Sequence, residues 1–211
     1  MSTPFSSMIL DTNLLVYTFI STKVFQRRSL EEEVKACIAR ELLYSGKLKV
    51  LIPSLVAEVE LRRALSRMVI TRGITNQKKL MILSNTIKYM KDTLNRMMKL
   101  GMCEIVDSWN AEILRRAAGY YNRLAGSGVK KWAKGKHQDL IILATAEQYN
   151  AIILTTDYDF LRLIDLTKST VPLYFIEIER NKVNIIRKNI GAVAYIDDVV
   201  RMCKRKDKKH K

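Results

Sequence analysis

The sequence predicts an α/β protein built around a mostly parallel sheet, and three observations carry that prediction. Short apolar runs such as MIL (8–10) and AIIL (151–154) are unbroken rather than alternating, as strands buried on both faces require. Stretches with apolar residues at helical spacing lie between these runs, so strand and helix alternate along the chain. Of 211 residues 48% are hydrophobic, with only three Pro and eight Gly, which suits one good core and argues against long linkers.

The elements follow in order. Met8–Leu10 is a short buried strand, and Leu14–Ile20 begins a helix. The stretch SLEE (29–32) is a capping box, with Ser29 as N-cap and Glu32 reaching back, and it opens a helix to about Tyr44 that Gly46 ends. KLKVLIP (47–53) is a second strand, followed by Ser54 as N-cap of the helix LVAEVELRRALSRMVI. From Thr75 to about Leu100 apolar residues including Leu80, Leu83, Ile87, Met90, Leu94, Met97 and Met98 recur at helical spacing, a stripe that reads as core or dimer surface. CEIVD (103–107) is a strand, with Ser108 capping a helix through about Leu124. GSGVKKWAKGK (126–136) is a glycine-bounded basic loop, Leu140–Tyr149 a buried helix, Ala151–Thr155 a strand and Phe160–Leu166 a further helical turn or two. LYFIEI (173–178) is another strand. A weak strand (Val183–Ile186), a short helix near Tyr195–Cys203 and the tail KRKDKKHK (204–211) complete the chain. The predicted organisation is one domain over 1–179, with a helical insertion at about 75–100, and an extension over 180–211.

Charge narrows the partners. The chain carries 37 Lys and Arg against 21 Asp and Glu, a net +16. The tail holds six basic residues and one acidic, so +11 remains without it. Such an excess favours a polyanionic partner, nucleic acid first. Cys37, Cys103 and Cys203 are odd in number and far apart, so the sequence predicts neither a disulfide framework nor a zinc half-site, and a cytoplasmic location. The opening MSTPFSSMILDTN lacks a basic stretch and is interrupted by Asp11, unlike a signal peptide, and no apolar run is long enough to span a bilayer.

Four acids are placed together by this topology. In an open parallel sheet the usable crevice lies at the carboxyl ends of the strands. Asp11 follows the first strand and Asp157 follows the strand ending at Thr155. Glu58 falls early in the helix after Ser54, and Asp139 starts the helix that leads into Ala151–Thr155. Helices run back across the sheet, so their N-termini meet the same rim. Clustered carboxylates repel one another unless a cation neutralises them. Hard oxygen ligands suit Mg²⁺ or Mn²⁺, and neither His137 nor His210 is placed to change that choice. Taken singly, each acid also reads as a helix cap, a dipole partner or a turn residue.

MILDTNLLVY (8–17), IPSLVAEVE (52–60) and HQDLIILATAEQYNAIILTTDYDF (137–160) together resemble the PIN-domain family of metal-dependent ribonucleases, which includes the VapC-type toxins. The resemblance covers roughly residues 7–178. It implies a three-layer α/β/α fold with a central sheet of four to five strands, and an endoribonuclease that leaves a 5′-phosphate and a 3′-hydroxyl, often as a homodimer. Carried over, Asp11, Glu58, Asp139 and Asp157 would hold the metal, with Glu60 competing for the place of Glu58. Asn13 and Thr155 would orient carboxylates or substrate, and Asp159 would be a further ligand or a helix-start acid. The long helix and the extension depart from compact VapC-type members. A toxin with a protein antitoxin and a processing nuclease with its own partner therefore both stay open.

The basic loop has two readings. Lys130, Lys131, Lys134 and Lys136 with Trp132 guide RNA by phosphate contact and base stacking, or the loop is solvated and Trp132 packs on the core. The rival to a nuclease is a PIN-like scaffold that binds RNA within a processing or ribosome-biogenesis assembly without cutting it.

Overall fold

The computed structural model describes residues 5–19, 29–71, 76–179 and 182–206. The tail beyond residue 206, Ile20 and Thr75 lie outside them.

Along the chain run β1 (Ser7–Leu10), α1 (Thr12–Phe19), α2 (Leu30–Tyr44) and β2 (Lys49–Pro53), then a π-helical turn (Val56–Glu60) that leads directly into α3 (Leu61–Thr71). There follow α4 (Asn76–Lys99), β3 (Cys103–Val106), α5 (Ala111–Gly126), the single turn α6 (Lys130–Ala133) and α7 (His137–Gln148). The chain continues through β4 (Ile152–Thr155), α8 (Tyr158–Thr167), β5 (Leu173–Glu179), β6 (Lys182–Lys188) and α9 (Ala194–Lys206).

The strands form one six-stranded sheet in the order β3-β2-β1-β4-β5-β6. Every pairing is parallel except β5 with β6, which is antiparallel. The helices pack in two groups. One contains α1, α2, α3, α4 and α9, the other α5, α6, α7 and α8, with the sheet between them as the middle of three layers. Met8, Ile9, Leu10 and Ile152, Ile153, Leu154 are all 1% exposed or less. Burial on both faces is why these strands read as unbroken apolar runs.

Several predicted starts and stops recur in the structure. Ser29 and Glu32 form the reciprocal capping box at the start of α2. Gly46, at φ +65°, takes the left-handed conformation just past its end, where a side chain would be strained. Met90, Leu94 and Met97 of α4 are core residues, whereas Leu80 is 71% exposed, so the stripe is buried only in its C-terminal half.

Other expectations are corrected. Ser54 and Ser108 do not act as side-chain caps. Their hydroxyls lie 3.0 Å apart, Ser108 N–H donates to Ser54 Oγ at 3.1 Å, and Leu55 N–H donates to Ser108 Oγ at 3.0 Å. This buried clamp ties the ends of β2 and β3 together, and the cap of α5 is Asn110 instead. The basic loop contains the helical turn α6. The sheet has six strands rather than four to five, because the extension adds β6 in register along all of β5. The extension is also part of the core, through Val193, Ile196, Val199 and Val200 of the α9 region.

The cysteines give the largest correction. Cys37 on α2 and Cys203 on α9 are joined by a disulfide across 166 residues of sequence, with Cα atoms 5.7 Å apart. Distance along the chain hid the pair, because only the packing of α9 on α2 brings them together. Cys103 is free and buried. The pairing removes the cysteine argument for a reducing compartment. Among the described residues no helix is long and apolar enough to cross a membrane.

A covalent tie that closes so long a loop should stabilise the fold by about 2–5 kcal/mol. Cys203→Ser, or a reductant, should therefore lower the unfolding free energy by that amount in urea titrations. Coincident transitions with and without reductant would show that the bond contributes nothing.

Candidate active site

The strand order reverses at β1, from which the chain builds outward through β2 and β3 on one side and through β4 and β5 on the other. Such a switch point leaves a crevice at the carboxyl ends of the strands. Leu10 pairs with Leu154, and Asp11 N–H donates to Leu154 O at 3.0 Å, so the sheet itself fixes Asp11 beside Thr155. Thr155 Oγ1 donates to Asp11 Oδ2 at 2.9 Å and accepts from Asp157 N–H at 2.9 Å. One hydroxyl thereby aligns the chain after β4 against the residue after β1.

Asp157 is the N-cap of α8, accepting from Asp159 N–H at 2.9 Å through Oδ1. Its Oδ2 accepts from Asn13 Nδ2 at 3.3 Å. One oxygen of this acid thus caps the helix and the other is held by Asn13. Asp139 lies in the first turn of α7, where the helix N-terminus favours negative charge.

Asp11, Asn13, Asp139 and Asp157 line a common cavity of about 310 Å³. The wall facing them comes from the helical segment after β2, and its acid is Glu60 rather than Glu58. Glu58 is exposed and not part of the lining. The two residues are about 200° apart on a helix, so only one can face inward. The π-turn over Val56–Glu60 places one more residue in the turn than an α-helix would, which sets this phase. Glu60 Oε1 is buried without a hydrogen-bond partner, its nearest recorded cation being Arg63 Nη1 at 3.8 Å.

The electrostatics reflect crowding. Burial pushes the Asp11 carboxyl up to about 7, and the charges of Asp139 and Asp157 push the same way against the Thr155 hydrogen bond. Burial likewise pushes Asp139 up to about 6, opposed by Lys136 and assisted by Asp157 and Asp159. The nearby acidic charges thus disfavour ionisation of Asp11 and Asp139.

Lys136 relieves part of this repulsion. Its ammonium lies 3.3 Å from Asp139 Oδ2 and also pairs with Asp159 Oδ2. Asp159 accordingly acts through Lys136 and does not line the cavity. Among the described residues no group of three or more acidic, histidine or cysteine side chains is arranged to hold a metal ion as it stands. The donor chemistry nevertheless fits a hard divalent cation: four carboxylates line one cavity, and one of their oxygens is buried without a hydrogen bond.

The basic segment separates into parts. Lys130, Lys131 and Lys134 are exposed and outside the cavity lining. Trp132 packs against the core, with the Arg162 guanidinium 4.5 Å and the Lys136 ammonium 5.4 Å from its ring centroid. This favours the packed reading of Trp132 over base stacking. Arg63 and Arg67 also line the cavity and are functional candidates that the sequence reading does not name. The spacing Glu60, Arg63, Arg67 is a single helical stripe, and that periodicity was the available signal.

No curated protein and no solved structure matches the chain. The family model for the PIN domain matches residues 8–166, from β1 into α8 and spanning all four acids. The chain belongs to the PIN-domain family, whose fold is of the nuclease type.

Proposed function

We propose that the protein is a divalent-metal-dependent endoribonuclease, leaving a 5′-phosphate and a 3′-hydroxyl. The observation that carries this reading is the meeting of Asp11, Glu60, Asp139 and Asp157 around one cavity in a strongly basic chain. These four residues would hold Mg²⁺ or Mn²⁺, which would supply charge neutralisation and a Lewis-acidic centre for phosphodiester hydrolysis. Thr155 holds one oxygen of Asp11, and Asn13 with the α8 N-terminus holds Asp157, so both carboxylates are oriented before any ligand arrives. Lys130, Lys131 and Lys134 would add phosphate contacts outside the cavity. RNA is the partner this reading requires. Toxin and processing roles both suit it.

One observation favours a second reading. Lys136 already supplies a cation to Asp139 and Asp159, as a scaffold that binds RNA without cutting it would need. Cleavage assays separate the two. Asp11→Asn or Asp139→Asn should lower RNA cleavage at least about a hundredfold while RNA binding measured in EDTA persists or strengthens, since repulsion is relieved. Cleavage by either variant at the parental rate would remove these residues from the site.

The choice of glutamate has its own test. Glu60→Gln should lower cleavage at least about tenfold, whereas Glu58→Gln should stay within about twofold of the parent. The opposite order would restore Glu58.

The pH dependence follows from the raised carboxyls. Asp11 and Asp139 titrate at about 7 and about 6 in the fold, against 3.8 when unperturbed. The ion-free fold therefore binds protons that the unfolded chain has already released, and its stability falls as pH rises from 3.8 towards about 7. Mn²⁺ needs the deprotonated carboxylates, so its thermal stabilisation should be small at about pH 5.5 and grow towards about pH 8. At a hundredfold excess over Kd the rise should be on the order of 5–10 °C, and much smaller in an Asp11→Asn/Asp139→Asn double variant. Equal shifts in parent and variant would place the ion elsewhere.

A further inference from the structure

We infer that Arg63 and Arg67 on α3 form a phosphodiester-binding wall that feeds single-stranded nucleic acid to the acidic cavity, and that a divalent ion in the cavity strengthens their grip. This rests on the nuclease reading for the ion and deepens it by naming which residues hold the substrate backbone.

The cavity has two chemically distinct sides. Asp11, Asp139 and Asp157 come from the sheet edge and from α7, while the π-turn and the α3 that continues it present Glu60, Arg63 and Arg67 on one helical stripe. Along the helix axis Arg63 stands about 4.5 Å and Arg67 about 10.5 Å beyond Glu60. The arginines therefore form a row leading away from the acids, with about 6 Å between them, a spacing suited to successive phosphates of an extended strand.

A purely structural role accounts poorly for Arg63. Its side chain is 53% exposed and its Glu60 contact is 3.8 Å, too long for a hydrogen bond. A guanidinium is suited to phosphate, which it grips through two parallel hydrogen bonds. Asp11, 4% exposed, lies in the recessed part of the cavity. A single strand can bend a diester towards it, whereas a duplex holds its phosphates on a stiff outer surface.

Charge balance supplies the coupling to the ion. The lining carries four carboxylates, from Asp11, Glu60, Asp139 and Asp157, against the three cations Arg63, Arg67 and Lys136. With every group ionised one negative charge is in excess, which opposes a phosphate chain. A divalent ion turns that excess into one positive charge. The same arginines then act in a net attractive field.

The test is fluorescence anisotropy with a labelled 2′-O-methyl oligonucleotide of about ten residues, its integrity checked on a gel, in Mn²⁺ and in EDTA. The parent should bind more tightly in Mn²⁺. Arg63→Ala/Arg67→Ala should lower affinity in Mn²⁺ roughly tenfold or more and reduce the slope of log affinity against log salt by about 1.4. Arg63→Lys/Arg67→Lys, which keeps charge but not the fork, should fall between them, with melting temperatures confirming that both variants fold. Parental affinity and slope in the alanine variant would overturn the inference. So would equal parental affinity for a matching duplex, or no gain in parental affinity from Mn²⁺. Cleavage of unmodified RNA by the parent, measured alongside, separates the two levels. Cleavage without arginine-dependent binding would sink this inference alone, and arginine-dependent binding without cleavage would sink the nuclease reading alone.

Discussion

The pairing of β1 with β4 is the constraint on which the site depends. It brings Asp11 and Thr155 into hydrogen-bond contact at the centre of the sheet, although they are 144 residues apart in sequence. A carboxylate held there is desolvated by the strands beneath it and repelled by the acids that the adjoining segments deliver. The backbone of Asp11 is bonded to Leu154 and its carboxylate to Thr155, so both main chain and side chain are held in place. The fold therefore holds a crowded, buried carboxylate at the ends of its central strands.

Two answers are visible in the residues. Locally, Thr155, Asn13 and the N-terminus of α8 supply hydrogen bonds to Asp11 and Asp157, and Lys136 supplies an ammonium to Asp139 and Asp159. None of these groups reaches Glu60 Oε1, which stays buried without a hydrogen bond, with Arg63 Nη1 3.8 Å away. On the proposed reading, an exogenous divalent cation would add the compensation that a donor set of this kind suits. Lys136 and such an ion would compete for Asp139, so each would weaken the hold of the other.

Much of this was legible in the sequence because it depends on strand ends. The runs MIL and AIIL located β1 and β4, and an acid after a central parallel strand has only one rim to occupy. Asp139 was equally readable, since it opens the helix that returns to β4. The choice between Glu58 and Glu60 was not, because the turn that aims them is π-helical, and no residue type in VAEVE marks the extra residue. The clamp of Ser54 with Ser108 was missed for a related reason. Serine before a helix usually caps it, and only the neighbouring ends of β2 and β3 show that these two bond each other instead. Cys37 and Cys203 looked unrelated because α9 had no predicted partner, and its packing on α2 is a tertiary fact.

The most direct test of the central claim is calorimetric titration of the parent with Mn²⁺ near pH 6.5, in two buffers of different ionisation enthalpy. Saturable binding that releases protons, and that is lost in Asp139→Asn, is the result expected if crowded, partly protonated carboxyls receive the ion. Binding without proton release, or binding of equal strength in the variant, would contradict it.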